Sequence, residues 1–352
     1  FCLAPSKNAP IAQRMELQLL QKMNFRKNVL DISALTYFIP KKFRTALIQS
    51  YGVVTEADAD VVLDASGFSY GDQWSGIVLK QLALEVSRFK RKNKPYIFMS
   101  QALGPFSGEN CKPAKKAFLA SKLIFSRDVE SFKHVKQLIG DKSHHCLSPD
   151  ITHLIESDNR FESKKFSKYN KHIALIVNSK MLSNKNLDKK AQATYIEQMH
   201  CVINILQQKK QLIVMLNHDG LADREICEQL NLKLINKIEI LEFECPIEVK
   251  QFIGSCKGVI SSRFHGCVSA LSQAVPCIAF SWSHKYQMLL DDYDFSEFLI
   301  SSTSTDKDIE LMLESFVKLN EIDRNKLAQQ SSVNQESVKV AWGKIKACID
   351  IK

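Results

Sequence analysis

The sequence lacks the short motifs that identify two common classes of α/β enzyme. It contains no Gly-x-Gly-x-x-Gly fingerprint of a dinucleotide-binding site and no Walker A loop. These absences argue against a nicotinamide-dependent dehydrogenase and against a P-loop kinase. Cysteine pairs with C-x-x-C spacing are also absent, although the chain has ten cysteines. We expect the cysteines to be small buried thiols in a reducing compartment rather than disulfides.

A membrane-spanning segment and a secretory signal are not recognisable in the sequence. The longest run without charge, Phe264–His284, contains Pro276, Gln273 and several serines, which is typical of a buried core segment. We therefore expect a cytoplasmic protein. The adjacent histidines His144 and His145 have no third ligand at metal spacing, so no metal site is expected. We expect no other bound cofactor either.

Positive charge is abundant, since 48 lysines and arginines against 38 acidic residues give a formal net charge of +10. The basic residues include two short clusters, at 41–44 and 88–94. No RNA- or DNA-binding motif accompanies them, so nucleic acid is not an expected partner. The clusters fit an anionic substrate, or a peripheral contact with an acidic membrane at the inner face of the plasma membrane. They fit equally a solvated basic face.

Short apolar runs alternate with segments of helical period, which predicts parallel β-sheets covered by helices. The predicted strands are Val29–Ile32, Asp60–Asp64, Tyr96–Ser100, Leu123–Ser126, His172–Val177, Gln211–Asn217, Gly258–Ser261 and Pro276–Phe280. Because 352 residues exceed one typical domain, the predicted fold class is α/β with two Rossmann-like domains. We expect a first domain, a polar linker, a second domain and a final helix that returns toward the first domain, at 1–155, 156–170, 171–330 and 331–352.

The strongest candidate for a functional site is the stretch Gly258–Phe280. There a predicted strand ends and delivers Arg263, His265 and Gly266 into a turn that opens a helix of small residues. Helix N-termini bind anions through their N–H groups and dipole, and an arginine fork suits phosphate or carboxylate. An imidazole transfers protons near neutral pH. The alternative interpretation is a core histidine beside a surface arginine.

A second candidate region follows the strand predicted at Asp60–Asp64. Its polar and aromatic side chains suit the binding of a sugar, and they are those of Asp64, Tyr70, Asp72, Gln73 and Trp74. The alternative is an ordinary loop with Trp74 in the core. Two further residues lie in the second half of the chain. His218 either faces a ligand or belongs to a helix cap, and Lys285 either contacts an anionic donor or extends along the surface at a helix start.

Six short motifs follow one another over roughly positions 60–290. They are an apolar strand with a glycine-bearing loop, a Gln-x-x-Gly-Pro loop, an Arg-Asp-x-x-Ser helix start, an Asp turn, an Arg-x-His turn and a late lysine. In this chain they stand at Asp60–Asp72, Gln101–Pro105, Arg127–Ser131, Ser148–Asp150, Arg263–His265 and Lys285. This order resembles the polysaccharide pyruvyl transferase family. The chain departs from the family at Ala65-Ser66-Gly67 and at Ala102, where many members carry glycine.

The resemblance implies a GT-B-type fold, with two Rossmann-like domains facing a cleft. It implies that pyruvate passes from phosphoenolpyruvate, a co-substrate, to two hydroxyls of a sugar as a ketal. Arg263 and Arg127, one from each domain, would hold the donor, and His265 would protonate its enol carbon. The alternative for Arg127 is a pairing with Asp128 or Glu130 at a helix start. The remaining residues expected on the donor side are Gly266, Lys285 and His218. Gln101 and the cluster around Trp74 are expected on the acceptor side.

Two other functions stay open at this point. A GT-B glycosyltransferase that uses a nucleotide-activated sugar would have the same architecture, with Arg263 on the pyrophosphate. A catalytically degenerate member that only binds glycans would retain the fold without turnover. For the enzyme, the expected acceptor is a sugar of a surface polysaccharide or its lipid-linked oligosaccharide precursor.

Overall fold

The computed structural model describes residues 2–3, 14–15, 18–23, 25–27, 30–155, 165–183, 188–281 and 283–349. The chain divides into two compact units. The first comprises Phe1–Ser148 and Ala341–Lys352, and the second comprises Pro149–Val340. The division lies earlier than the linker expected at 156–170, of which 156–164 lie outside the described residues. Phe166 and Tyr169, near the end of that segment, are buried in the core of the second unit.

The second unit is built on one parallel sheet of six strands. They are β10 His172–Ile176, β11 Leu212–Asn217, β12 Ile240–Glu242, β13 Gly258–Ser261, β14 Cys277–Phe280 and β15 Leu299–Ile300. Their order in the sheet is β12-β11-β10-β13-β14-β15, which is the 3-2-1-4-5-6 order of a Rossmann fold. The middle strands are buried on both faces, because helices cover the sheet on either side. The near-continuous apolar runs of the sequence therefore match buried parallel strands.

In the described part of the chain, seven helices surround this sheet or extend from it. They are α5 Lys189–Gln208, α6 Leu221–Leu232, α7 Pro246–Ser255, α8 Phe264–Leu271, α9 His284–Asp291, α10 Asp306–Phe316 and α11 Glu321–Ile349. The last part of α11, from Ala341, groups with the first unit. Short 3-10 helices span Ile151–Leu154, Ser167–Tyr169 and Ser179–Leu182.

The first unit contains a parallel sheet of four strands in the order β6-β7-β8-β9. These are β6 Val62–Asp64, β7 Tyr96–Gln101, β8 Leu123–Ser126 and β9 His145–Leu147. A smaller parallel sheet joins β1 Cys2–Leu3, β2 Leu20–Lys22 and β5 Val53–Val54. A short antiparallel pair is formed by β3 Arg26–Lys27 and β4 Leu30–Asp31.

The helices that accompany these strands are α1 Lys41–Tyr51, α2 Gly76–Arg91, α3 Cys111–Ala120 and α4 Val129–Ile139. The 3-10 helices of this unit span Ser33–Phe38, Glu56–Asp58 and Gly108–Asn110. The apolar faces of α2 and α3 pack with β7 around Phe89, Phe98 and Phe118, which are fully buried. The cysteines from Cys111 to Cys348 are free thiols. Within the described part of the chain, no helix has the length and apolar character needed to span a membrane.

Candidate functional site

The carboxyl edge of the second unit's sheet carries the residues expected to do chemistry. The strand order reverses between β10 and β13, and ligands of open α/β sheets bind outside the strand ends at such a point. After β10 the chain continues into Asn178, and after β13 it continues into Ser262, Arg263 and the first turn of α8. The Arg-x-His turn thus follows β13 at the carboxyl edge of the sheet.

Ser262 fixes the loop that leads into α8. Its backbone N–H donates to Ile176 O at 2.9 Å. Its carbonyl accepts from Asn178 Nδ2 at 2.8 Å and from the Tyr286 hydroxyl at 2.7 Å. The hydroxyls of Ser262 and Tyr195 lie 2.6 Å apart. Because these groups are buried, the hydrogen bonds hold the backbone of the turn in one position.

Arg263 is engaged with carboxylates of its own unit. Its Nε donates to Asp223 Oδ2 at 2.8 Å and its Nη2 donates to Asp223 Oδ1 at 2.6 Å, a bidentate pair in which the Asp223 side chain is fully buried. Its Nη1 donates to Asp219 Oδ2 at 2.6 Å, and the Asp219 side chain is 61% exposed. The planar fork expected to face a donor anion therefore faces Asp223, since a buried guanidinium needs a matched carboxylate.

His265 is the second residue of α8, and its side chain is 53% exposed. Its Nε2 lies 3.6 Å from Asp150 Oδ2, and the Asp150 side chain is only 5% exposed. This exposure contradicts the alternative of a core histidine. The imidazole is thus accessible at a helix N-terminus, with one carboxylate beside it.

Asp150 is held firmly by the 3-10 helix that it precedes. Its Oδ1 accepts from the backbone N–H of Thr152 at 3.0 Å and from the Thr152 hydroxyl at 2.7 Å. Lys250 Nζ donates to Thr152 O at 2.7 Å. Burial lowers the pKa of Lys250 to about 8, an effect that the Asp150 carboxylate opposes. The Asp150 carboxylate therefore keeps its orientation toward His265 through bonds on its other oxygen.

Gly266 and Lys285 are both tightly enclosed by neighbouring side chains. A Cβ at Gly266 would lie 2.5 Å from Ser261 Oγ and 3.1 Å from Ile176 Cδ1, so the glycine is needed for close packing of α8 on the sheet. Lys285 lies in the first turn of α9 and is 8% exposed. Its Nζ lies 5.1 Å from the ring centroid of Phe264, a cation–π contact. Lys285 is thus a buried cation and not an extended surface lysine.

His218 follows β11 and is half-buried. Its pKa is lowered to about 4, mainly by burial and then by the nearby charges of Arg263 and His265. His218 is therefore neutral at neutral pH. The charges of Arg263 and His265 act on it, so His218 lies at the same edge of the sheet as those two residues.

In the first unit, Asp64 ends β6 and is buried within a hydrogen-bonded group. It accepts from the Tyr70 hydroxyl at 2.6 Å and from the Tyr96 hydroxyl at 3.0 Å. Its backbone carbonyl accepts from Gln101 Nε2 at 3.1 Å. Burial, and then the charge of Asp64, raises the pKa of both tyrosines. The loop after β6 is thus held by buried hydrogen bonds of Asp64, Tyr70 and Gln101.

Asp72 fastens the following loop, and Trp74 lies at its surface. Asp72 Oδ1 accepts from the backbone N–H of Ser107 at 3.1 Å and from Asn110 Nδ2 at 2.7 Å. Trp74 is 39% exposed and makes an edge contact with Phe68, with ring centroids 6.5 Å apart. The alternative of a tryptophan within the core is therefore wrong. Gln73, between these two residues, is half-buried.

Arg127 follows β8 and is buried, with 6% exposure. Its backbone N–H donates to Gln101 O at 3.0 Å. Asp128 caps α4 through a 2.7 Å bond from the N–H of Ser131. Glu130 pairs with Lys133 at 2.7 Å. Arg127 thus leaves the sheet at the carboxyl edge, next in order to Asp64 and Gln101.

The segment Gly67–Gly71, sequence GFSYG, matches the Gly-x-Ser-x-Gly pattern of α/β-hydrolases, a match that the sequence analysis missed. Its geometry differs from a nucleophile elbow. The Ser69 hydroxyl donates to Ser66 O at 3.1 Å, and the next helix begins only at Gly76. The serine is therefore not presented at a sharp strand-to-helix turn, and this segment gives no support to a hydrolase.

The comparison with protein families identifies the chain. A sequence model named polysaccharide pyruvyl transferase matches residues 16–284. The chain belongs to the polysaccharide pyruvyl transferase family. No curated protein matches the sequence significantly.

Solved structures of proteins named for other functions share the fold of this family member. A putative UDP-N-acetylglucosamine 2-epimerase from Listeria monocytogenes has a TM-score of 0.59 at 11% identity, over 97% of this chain and 87% of that chain. The S. aureus MnaA structure with UDP has a TM-score of 0.59 at 10% identity, over 98% and 88%. Anabaena Alr3699/HepE in complex with UDP and glucose has a TM-score of 0.54 at 11% identity, over 97% and 90%. At such identities the likeness shows the fold alone, which is α/β with two Rossmann-like domains of the GT-B type.

Two buried carboxylates lie beside Arg263 and His265, and the sequence alone did not assign them a role. The sequence indicates a turn at Asp150, and it does not distinguish Asp223 from other acidic residues. A buried arginine needs a carboxylate partner, so burial of Arg263 would predict that an acidic residue such as Asp223 lies beside it. Among the described residues, no group of three or more histidine, cysteine or acidic side chains is arranged to hold a metal ion.

Proposed function

We propose that this protein transfers pyruvate from phosphoenolpyruvate to a sugar of a surface polysaccharide or its lipid-linked precursor and forms a pyruvate ketal. The observation that supports this most is His265. It is an exposed imidazole at the N-terminus of α8, 3.6 Å from the buried carboxylate of Asp150, in a chain of the pyruvyl transferase family.

His265 is the proposed general acid. It gives a proton to C3 of the enol, and the C2 atom becomes electrophilic. A sugar hydroxyl then attacks C2, the bond from C2 to the phosphate oxygen breaks, and a second hydroxyl closes the ketal. One hydroxyl proton replaces the proton given to C3, and the other leaves with the phosphate. Asp150 orients the imidazole and balances its positive charge while it is protonated.

The donor's negative charges need cations or N–H groups. The proposed contacts are the first N–H groups of α8, at His265 and Gly266, together with Lys285. For Arg127, which lies in the first unit, donor binding stays a prediction from the family resemblance. For Arg263 we propose a supporting role, because its Nε and Nη2 hold Asp223. By this bond Arg263 fixes the start of α8 and its N–H groups. His218, which is neutral, lines the same edge.

The proposed acceptor contact is the exposed ring of Trp74, which offers a flat apolar face to a sugar. Gln73 adjoins it with a polar amide. The loop is supported by hydrogen bonds within the unit, made by Asp64, Tyr70, Asp72 and Gln101.

A nucleotide-activated sugar as donor is the second candidate. The observation that favours it is the shared fold with structures that hold UDP, such as S. aureus MnaA and Anabaena Alr3699/HepE. The family membership favours the pyruvyl donor instead. We therefore place the nucleotide sugar second.

Isothermal titration of the whole protein with phosphoenolpyruvate and, separately, with UDP-N-acetylglucosamine distinguishes the two donors. Mass spectrometry of candidate glycans, incubated with protein and phosphoenolpyruvate, then detects an added pyruvate ketal. We expect phosphoenolpyruvate to bind and the glycan mass to increase. Binding of the nucleotide sugar alone would overturn the proposed donor. Binding of glycans without any turnover would indicate a degenerate member.

A further inference from the structure

The large apolar side chains exposed on the first unit include Leu35, Phe38 and Phe43, which lie close together in the sequence. Leu35 is 57% exposed, Phe38 is 83% exposed and Phe43 is 56% exposed. Leu35 and Phe38 belong to the 3-10 helix Ser33–Phe38, in which side chains three residues apart eclipse one another and share one face. Phe43 follows in the first turn of α1, where its N–H donates to Pro40 O. We refer to these three exposed side chains together as the apolar projection.

Lysines from two distant parts of the sequence surround this projection. Lys41 and Lys42 are exposed at the start of α1, and Lys42 Nζ lies 5.7 Å from the ring centroid of Phe43. Lys92 comes from the end of α2, and its Nζ lies 5.1 Å from the ring centroid of Tyr37, within the same 3-10 helix. The two basic clusters of the sequence, at 41–44 and 88–94, thus meet around Leu35–Phe43. We call Leu35, Phe38, Lys41, Lys42, Phe43 and Lys92 the apolar–basic surface.

The positive charge of this surface is not cancelled by nearby acids. The acidic side chains beneath it are already paired, Asp58 with Arg44 and Glu56 with Arg88. Within the described ranges, no ion pair involves Lys41, Lys42 or Lys92. The lysines are therefore available to anionic groups that approach from solvent.

Helix α1 lies on the outside of the unit. None of its residues from Lys41 to Tyr51 is buried, and Leu47 and Ile48 on its inner side are only half-buried. Aromatic rings that project from between lysines suit the interface of a bilayer, where rings enter the acyl boundary and ammonium groups contact lipid phosphates. In water, exposed apolar side chains of this kind gain no free energy from burial.

We propose that the apolar–basic surface docks the protein onto an anionic lipid bilayer. The charge of the surface selects anionic headgroups, and Phe38 and Phe43 insert below them. This docking goes beyond the proposed reaction and does not depend on its donor. It suits an enzyme whose acceptor is carried on a lipid.

Vesicle co-sedimentation of the whole protein tests the proposal. One set of vesicles contains phosphatidylcholine alone, and the other contains phosphatidylcholine and phosphatidylglycerol in equal parts. We expect binding to the second set only, with weakening at high salt because the headgroup attraction is screened. Absence of binding to the anionic vesicles would overturn the proposal.

Two double variants separate the charge from the apolar contribution. Lys41→Ala/Lys42→Ala is expected to lower the partition coefficient about 25-fold, because each lysine near an anionic surface contributes a factor of about five. Phe38→Ser/Phe43→Ser is expected to lower it more than about tenfold. All of these side chains are exposed, so both variants are expected to fold.

Matched controls come from the second unit. Lys189→Ala/Lys190→Ala removes two exposed lysines that also begin a helix, α5. Leu232→Ser/Ile235→Ser removes two apolar side chains that are 78% and 98% exposed. Neither control is expected to change vesicle binding more than about twofold. Equal losses in controls and variants would overturn the assignment to this surface. So would a dimer in sedimentation velocity that the Phe38→Ser/Phe43→Ser variant abolishes, because a second copy would then be the partner.

Discussion

Replacement of His265 with glutamine separates chemistry from binding at the proposed site. Glutamine keeps a polar side chain of similar length at the second position of α8, but it cannot deliver a proton from a ring nitrogen. A positioned general acid contributes a factor of about 100 to 10,000 to turnover. We therefore expect kcat to fall by about that factor. Donor affinity is expected to change by less than about fivefold, since the helix N–H groups and Lys285 are retained.

The structure indicates that His265→Gln leaves the fold intact. The imidazole is 53% exposed, so its removal creates no cavity. Asp150 loses one neighbour at 3.6 Å but keeps the two bonds from Thr152, at 3.0 Å and 2.7 Å. An ion pair of this exposure contributes less than about 1 kcal/mol to the free energy of unfolding. Urea unfolding of the variant verifies this before kinetics are compared.

Asp150→Asn tests whether the carboxylate acts through the imidazole. It keeps the shape and the acceptor oxygen for Thr152 but removes the charge beside His265. We expect kcat to fall about tenfold. In the His265→Gln background the same change is expected to have no further effect on kcat, because the two residues act as one unit.

The assay is release of inorganic phosphate from phosphoenolpyruvate in the presence of acceptor, with calorimetry for donor binding. A folded His265→Gln protein with near-native kcat would refute the proposed acid. Independent, multiplicative losses from His265→Gln and Asp150→Asn would refute the coupling between them.

Two further predictions concern buried ionisable groups. Arg263→Ala is expected to lower the free energy of unfolding by about 3 to 5 kcal/mol, because it leaves the buried Asp223 carboxylate without its cationic partner. Adding Asp223→Ala to that variant is expected to restore part of the lost free energy, as measured by urea unfolding. If Arg263 only bound the donor, Arg263→Ala would leave the free energy of unfolding unchanged. The pKa of His145 is lowered from 6.5 to about 4, chiefly by burial, so the unfolded chain takes up the proton first and stability falls as the pH drops from 6.5 to 4. His145→Gln is expected to make the free energy of unfolding fall less between pH 6.5 and 4, and an unchanged pH dependence of urea unfolding would contradict this.

The strands of the second unit could be predicted closely, because buried parallel strands carry continuous apolar runs. The predictions at His172–Val177, Gln211–Asn217 and Gly258–Ser261 correspond to the observed β10, β11 and β13. The strand predicted at Val29–Ile32 is wrong in extent. Only Leu30–Asp31 is extended among its described residues, and Leu30 is 60% exposed, so no sheet face buries that run.

The division of the chain could not be placed from composition alone. The apolar residues thin out after Glu156, and that thinning predicted a linker at 156–170. The second unit instead includes Pro149–Ile155, because His153 Nε2 lies 3.1 Å from the Tyr293 hydroxyl. Such a contact joins residues 140 positions apart and leaves no trace in local hydropathy.

The positions of Arg263 and His265 were predictable because a strand end and a helix start specify where side chains emerge. Their partners were not, since pairing depends on which elements the fold brings to the same edge. Arg263 turns toward α6 and is neutralised by Asp223, 40 residues earlier in the chain. His265 is the next residue but one, yet it faces outward with more than half of its side chain exposed. The same short motif thus contributes one side chain to the framework and one to the surface. That difference in burial is why we assign structural support to Arg263 and proton transfer to His265.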